Sequence, residues 1–422
     1  MRIVPARDGG LCRVRLALGE LSAAQARAVA DAAAEFGSGV IEVTNRANLQ
    51  LRGVSEASQE ALIDCLLAAG LGPTTPGADD LRNLMLSPLA GLDAQAILDV
   101  EALARALLDQ MQRDVRLQAL SPKFSMLLDG GERLAMLDHP HDLWLAAVSP
   151  QRIAFGLAGC PPSRENDTPA LAAVTPEHVP ALVNAILHTF LDLASPEHPR
   201  MRDLFATRPV EDFMSALQNR LEFALMQEDA IHAWRRPKTD SRLRLGTHEQ
   251  NAAATMYIGA QPRLGRLDAH TLRALAHLAP RLRMTPWQGV MLLDVPSSQA
   301  ASVQDHVAAL GLATHADEPF ARLIACAGSQ GCAKGLADTK TDALQLAEHM
   351  PRQGDVHLSG CPRSCAASHP AGTTLLAVAP GRYDLYQSRT GEERAAGFGT
   401  LLAHHLTIQQ AAQWLARSTT DA

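Results

Sequence analysis

Two stretches of this chain, separated by more than 200 residues, read alike. The first is LGELSAAQARAVADAAAEFGSGVIEVTNRANLQLRGV, Leu18 to Val54, and the second LGRLDAHTLRALAHLAPRLRMTPWQGVMLLDV, Leu264 to Val295. Each opens with Leu-Gly-x-Leu, and Ser22 or Asp268 then stands where a helix needs an N-cap. An alanine- and leucine-rich amphipathic run follows, and it leads into a β-prone stretch with Thr44 or Thr285 at the matching place. The segments ahead of them, LCRVRLAL and ATMYIGA, read as strands entering the same unit. A β-α-β unit of this kind leaves an apolar sheet face in need of cover, so the two copies are expected to cover each other.

The rest of the chain is arranged around this repeat. At 422 residues it exceeds one ordinary core and predicts about two to four packed units. We divide it into a small unit (1–75), a large one (76–239), a second small one (240–315) and a second large one (316–422). The first large unit contains the strand-like KFSMLLD and LWLAAV and the helical PEHVPALVNAILHTFLDLA and VEDFMSALQNRLEFALM. The second holds the strand-like TTLLAVA and closes with the helical TIQQAAQWLARS. RRPKTDSR, Arg235 to Arg242, reads as a polar connector between the halves. The fold class is α+β, a duplicated pair.

Composition narrows the function. A net charge of −7 argues against general nucleic-acid binding, which draws its affinity from a basic surface. No run of about 18 apolar residues would span a membrane, and MRIVPARDGGLCRVRL has no signal-peptide pattern. The expectation is a cytoplasmic protein with reduced thiols. Cys12, Cys65 and Cys160 stand apart and read as small buried hydrophobes.

The other four cysteines come in two pairs: Cys326 and Cys332 in CAGSQGC, Cys361 and Cys365 in CPRSC. Reduced thiols disfavour disulfides. Structural zinc usually takes ligands about two to four residues apart, which the first pair fits poorly, and an iron–sulfur cluster accepts more varied spacing. Small residues between Cys326 and Cys332 would let the backbone approach sulfide. Pro362 suits the first turn of a helix, which would set Cys361 and Cys365 one turn apart on one face. Spacing alone favours a cluster and leaves zinc open.

C-x5-C followed by C-x3-C resembles the [4Fe–4S] signature of the sulfite and nitrite reductase superfamily. TNRANLQLRG (Thr44 to Gly53), LRNLMLSPLAG (Leu81 to Gly91) and SPKF (Ser121 to Phe124) are similar to three further motifs of that family, in the same order. The resemblance implies two ferredoxin-like half-domains paired together, plus two larger α/β cofactor-binding domains. It also implies that Cys326, Cys332, Cys361 and Cys365 ligate the cluster. In such enzymes basic residues of these motifs grip the carboxylates of sirohaem and an anionic substrate. Carried across, Arg46, Arg82 and Lys123 would grip carboxylates, with Arg52 and Arg283 as further members of the ring.

One departure points within the family. Sulfite reductases have Lys-Phe-Lys where this chain has Lys123-Phe124-Ser125, and a hydroxyl cannot offset a buried oxyanion's charge as an ammonium does. TNRANLQLRGV, KFSMLLDGGERL, RLRMTPWQGVML, ACAGSQGCAKGLADTKTDA and HLSGCPRSCA all resemble the precorrin-3B synthase branch. That resemblance implies a monooxygenase of cobalamin biosynthesis acting on precorrin-3A and O2, with an external NADH-linked electron donor. It implies a mononuclear non-haem iron beside the cluster, and no sirohaem. HAD (His315 to Asp317), HPHD (His139 to Asp142), His357 and His369 are the places to look for that iron's ligands. Trp287, which matches Arg46 in the repeat, reads as core. The alternatives are a sirohaem-dependent sulfite or nitrite reductase and a non-enzymatic cluster protein.

Overall fold

The computed structural model describes residues 1–195, 197–350, 354–368, 371–388 and 397–418. Its twenty described strands form four five-stranded sheets. In chain order, the first small unit supplies β1 (Arg2–Ala6), β2 (Gly9–Val14), β3 (Glu20–Ser22), β4 (Val40–Val43) and β5 (Leu49–Val54). The first large unit supplies β6 (Leu84–Leu86), β7 (Met126–Asp129), β8 (His141–Ser149), β9 (Arg152–Gly159) and β10 (Ala172–Val174). The second small unit contributes β11 (Gly246–Glu249), β12 (Thr255–Ala260), β13 (Arg266–Asp268), β14 (Arg281–Met284) and β15 (Val290–Pro296). The second large unit contributes β16 (Leu323–Ala325), β17 (Val356–Ser359), β18 (Thr373–Ala379), β19 (Arg382–Gln387) and β20 (Thr400–Leu406).

The two small units exchange a strand. Their sheets run β1-β2-β5-β4-β13 and β11-β12-β15-β14-β3, so each copy's third strand completes the other's sheet. Leu267 stands opposite Ile41 in one sheet, and Leu21 opposite Leu282 in the other. Residues of both copies, including Val29, Ile41, Leu272 and Leu292, share one buried cluster. The copies therefore do cover each other.

The repeat extends to backbone conformation. Leu18 and Leu264 both have left-handed φ, 57° and 54°, and each precedes a glycine that is also left-handed. Ser22 and Asp268 cap their helices, Ala23–Phe36 and Ala269–Leu278, by accepting from Gln25 and Thr271 N–H. Thr44 and Thr285 owe their matching places to a turn. Each main-chain N–H donates to the carbonyl four residues on, and each hydroxyl accepts from the N–H of that residue, Asn48 or Gly289.

The large units repeat as well. In each, three parallel strands continue into two antiparallel ones, in the orders β6-β7-β8-β9-β10 and β16-β17-β18-β19-β20. The cysteine pairs occupy the loops after β16 and β17, at the carboxyl ends of parallel strands, where open α/β sheets place their ligands. The matching loops after β6 and β7 carry no cysteine.

Three local readings change. The helix expected over VEDFMSALQNRLEFALM is confined to Val210–Gln218. The connector Arg235 to Arg242 is not a solvated link throughout. Arg236 is 3% exposed and holds the fully buried Asp129 at 2.6 and 3.0 Å, because a carboxylate at the end of β7 needs a cation there. Residues 361–365 form a turn rather than a helix, with Ser364 at φ 49°.

Candidate functional site

A cavity of about 1110 Å³ lies between the first small unit and the two large ones. Arg46 comes from the turn between β4 and β5, His139, His141 and Arg200 from the first large unit, and His357 and Arg363 from the second. Five arginines line the cavity (Arg46, Arg164, Arg200, Arg202 and Arg363), against the carboxylates of Asp138, Glu165 and Asp167. Pro362, Arg363 and Ser364 are wall residues, so the CPRSC loop borders the cavity directly.

The turn from Thr44 to Asn48 organises this corner. The Thr44 hydroxyl accepts from Arg46 N–H, and the Asn45 side chain donates to Cys365 O at 3.3 Å and Ser368 Oγ at 2.8 Å. Between these braces, Arg46 projects to the cavity and donates to Asn83 Oδ1 at 3.2 Å. Asn83 is held in turn by its bond to Phe124 O. Arg46 makes no salt bridge to a carboxylate among the described residues. Burial, followed by the Arg200 charge, lowers its pKa to about 10, so it stays charged at neutral pH. Arg200, by contrast, is matched: its Nε lies 2.9 Å from both oxygens of Asp142.

The other basic residues chosen from sequence go elsewhere. Arg52 donates to Asp8, to Glu42 at 3.0 Å and to Gly331 O at 2.9 Å, which makes it a strut for the CAGSQGC loop. Burial would raise the Glu42 pKa, but Lys340, Arg52 and Arg266 outweigh it and hold this carboxyl below its usual range. Arg82 is buried against Asp79 and Leu71 O, and in its motif the neighbouring Asn83 reaches the site instead. Arg283, 1% exposed, clamps Glu20, Pro88 O and Ala90 O. Lys123 is exposed and lies outside the cavity lining. These residues lie in the right motifs, but three of them are claimed by carboxylates that lie outside those motifs, Asp8, Asp79 and Glu20. Trp287, read as core, is half-buried: it packs against the margins of two apolar clusters, with Arg244 Cζ 6.0 Å from its ring centroid.

The two loops bring Cys326, Cys332 and Cys361 within electrostatic reach of Cys365. Burial, then the negative charges of Cys361, Cys326 and Cys332, raises the Cys365 pKa. Gly360 N–H donates to Cys326 Sγ at 3.1 Å, and the Thr339 hydroxyl lies 3.5 Å from the same sulfur. Glycines keep the loops close. A Cβ on Gly360 would sit 3.3 Å from Cys326 Sγ, one on Gly335 2.5 Å from the Gly328 carbonyl carbon, and one on Gly331 2.2 Å from Arg52 Nη2. Four thiols in a glycine-lined cradle with an N–H aimed at sulfur fit an iron–sulfur cluster.

The remaining cysteines differ from one another. Cys12 is fully buried, and burial lifts its thiol to about 11. Cys65 and Cys160 are only half-buried, and Cys160 is part of the cavity wall.

No three His, Cys, Asp or Glu side chains among the described residues converge to share one metal ion. His315 is exposed, and Asp142 is consumed by Arg200 and by the N–H groups of Ser125 and Met201. His369 lies outside the described residues.

Comparison with known proteins accounts for this arrangement. The model for the nitrite/sulfite reductase ferredoxin-like half domain matches residues 4–69 and 248–310. The nitrite and sulphite reductase 4Fe-4S domain model matches residues 77–225. Precorrin-3B synthase of Sinorhizobium sp is 31% identical over 386 residues, 90% of this chain and 79% of that protein. The chain belongs to the nitrite and sulfite reductase superfamily.

Reductase members are similar to nearly the same degree. The chloroplastic ferredoxin–nitrite reductase of Zea mays is 29% identical over 383 residues, 84% of this chain and 67% of that protein. The Synechococcus elongatus ferredoxin–nitrite reductase is 29% identical over 392 residues, 87% of this chain and 76% of that enzyme. The solved NirA protein of Mycobacterium tuberculosis superposes with a TM-score of 0.80 at 22% identity, over 98% of this chain and 80% of that one. It shares the fold. The chain is thus an enzyme of an oxidoreductase superfamily whose members carry a 4Fe–4S domain. The stretch matched by the 4Fe-4S model contains Cys160 alone among the cysteines, so the choice of four ligands rests on the loops.

Within the family motif around Thr44, Asn45 was not singled out from sequence, and neither was Arg200 or Arg363. Asn45 and Arg363 both lie inside quoted motifs. Arg200 carries no local signal, since only the fold brings it beside Asp142.

Proposed function

We propose that the chain is a precorrin-3B synthase-like monooxygenase that takes a polycarboxylated tetrapyrrole as its substrate in this cavity. Precorrin-3A would be hydroxylated at C20 with O2, and the ring A acetate would close a γ-lactone. Reducing equivalents come from an external NADH-linked donor. One observation carries the anionic ligand: the half-buried Arg46 guanidinium has no carboxylate partner among the described residues and faces a cavity of about 1110 Å³. That exceeds the roughly 300–1,000 Å³ of ordinary small-molecule pockets, and the arginine-rich lining suits a ligand with many carboxylates.

Cys326, Cys332, Cys361 and Cys365 would hold the [4Fe–4S] cluster, which supplies electrons one at a time when bound. Arg46 would bind and orient the substrate, with Asn83 fixing its guanidinium plane. Position 125 supports a tetrapyrrole substrate rather than a bound sirohaem reducing a small oxyanion. Ser125 is 1% exposed, its N–H bonded to Asp142 at 2.8 Å, and it brings no charge to the site. The mononuclear iron comes from resemblance alone. The described residues do not fit it, and none is assigned to it.

The similar identity of the ferredoxin–nitrite reductases favours a second reading, a sirohaem enzyme reducing nitrite or sulfite. Anaerobically purified protein distinguishes the two by its iron, sulfide and extractable sirohaem content. Incubation with precorrin-3A under 18O2 provides the second test. One labelled oxygen in the product, without bound sirohaem, supports the oxygenase. Stoichiometric sirohaem with nitrite turnover overturns it.

A further inference from the structure

One residue of the cavity wall has no role in the arrangement so far. His141 opens β8 and is 4% exposed, yet neither Nδ1 nor Nε2 has a hydrogen-bond partner. Its backbone position is fixed on both sides. His141 stands opposite Gly159 in the β8–β9 ladder, and the next residue, Asp142, is tied to Arg200, Ser125 N–H and Met201 N–H. Buried polar atoms in native proteins are nearly always bonded, and each one left unmet lowers stability. An apolar side chain would fill this place without that loss, so packing alone does not explain an imidazole here.

The surroundings specify what would satisfy it. Burial, then the charges of Arg46 and Arg200, pulls the imidazole pKa down to about 3, so the ring is neutral and keeps one N–H to donate. Two nearby guanidinium groups repel a cation, and no third metal-ligating side chain joins His141 among the described residues. An anion meets the opposite situation, because Arg200 is already matched by Asp142 and Arg46 is not. We infer that His141 and Arg46 form a subsite for one carboxylate of the bound tetrapyrrole, Arg46 supplying charge and His141 a directed N–H. This inference rests on the tetrapyrrole reading above and adds a ligand contact to it.

The test uses the full-length, cluster-loaded protein and uroporphyrin, an octacarboxylic macrocycle, with its octamethyl ester as control, followed by porphyrin fluorescence and by thermal unfolding. Wild type should bind the acid and not the ester. His141→Leu should bind about tenfold more weakly, with a thermal midpoint equal to or above wild type in the absence of porphyrin. His141→Gln, which keeps an N–H donor, should recover most of the affinity. Wild-type affinity in His141→Leu would overturn the inference, as would a His141→Gln no better than His141→Leu. If Arg46→Ala weakens binding while His141→Leu does not, the subsite inference falls and the tetrapyrrole reading stands. If wild type fails to bind uroporphyrin, the tetrapyrrole reading falls and the subsite with it.

Discussion

Arg46 and Arg52 belong to one motif, yet the fold gives them different work. Arg46 faces the cavity with its charge unmatched, whereas Arg52 is enclosed by Asp8, Glu42 and the Gly331 carbonyl. Substitution should separate them. Arg46→Ala is expected to weaken tetrapyrrole binding by about ten- to a hundredfold, the range for a charged hydrogen bond, with iron and sulfide content unchanged. Arg52→Ala strands two carboxylates and releases the cysteine loop. It should cost about 3–5 kcal/mol of stability and lower cluster content, readable by denaturant unfolding and iron assay. Cys332→Ser should abolish the cluster, and a variant with full iron and sulfide would remove Cys332 from the ligand set. His141 adds a pH dependence. Its pKa falls from 6.5 unfolded to about 3 folded, so the unfolded chain binds more protons between those values. Stability should therefore fall as pH drops from 6.5 towards 3, and less steeply in His141→Leu than in wild type. Motif position marked these arginines in the sequence. It could not tell cavity from core, because Asp8 and Glu20, which claim Arg52 and Arg283, are supplied by distant segments, and Asp79, only three residues before Arg82, claims it through a local turn.

At the scale of elements, the cysteine loops are shaped by what they exclude. Gly328 is left-handed at φ 61°, and Gly335 packs so closely on it that a Cβ would fall 2.5 Å from its carbonyl carbon. Backbone cannot move aside as a long side chain can. Gly335→Ala should thus destabilise the loop by roughly 1–3 kcal/mol and reduce iron incorporation, while Gly354→Ala, whose Cβ meets no atom within 4 Å but is strained at φ 82°, should leave the cluster intact. Equal iron content in Gly335→Ala and wild type would show that the loops tolerate a wider cradle. The cysteine spacing marked the loops themselves, whereas of the strands in this unit only Thr373–Ala379 was legible as an apolar β-prone run, and the short strands that bear the loops, Leu323–Ala325 and Val356–Ser359, were not. The local conformation of CPRSC was not. Pro362 permits a first helical turn, but Ser364 adopts left-handed φ and donates to Ala367 O, which closes a turn instead.

The whole molecule is built on the exchange of β3 and β13. Sequence showed two copies and the need for a partner face. It could not show that each copy's third strand leaves home, because a three-residue strand such as Glu20–Ser22 or Arg266–Asp268 pairs equally well on paper with its own sheet. The exchange has a consequence for folding. Residues 1–239 alone would lack β13 at the edge of the first sheet, and 240–422 alone would lack β3 at the edge of the second. Each would also expose its half of the shared cluster around Ile41 and Leu282. An open strand edge beside uncovered apolar surface favours aggregation. The two pieces expressed separately should therefore be insoluble or molten, whereas co-expression should give a soluble complex that co-purifies through a tag on either piece. The cavity requires the same assembly. Arg46 belongs to the first piece, while the CPRSC loop that Asn45 braces belongs to the second. Co-expressed pieces should regain both iron and uroporphyrin binding, and neither piece should bind uroporphyrin alone. A soluble, cooperatively folding 1–239 would mean that the first sheet is stable without its borrowed strand. The exchange would then serve to place the turn at Arg46 against the cysteine loops rather than to complete the core.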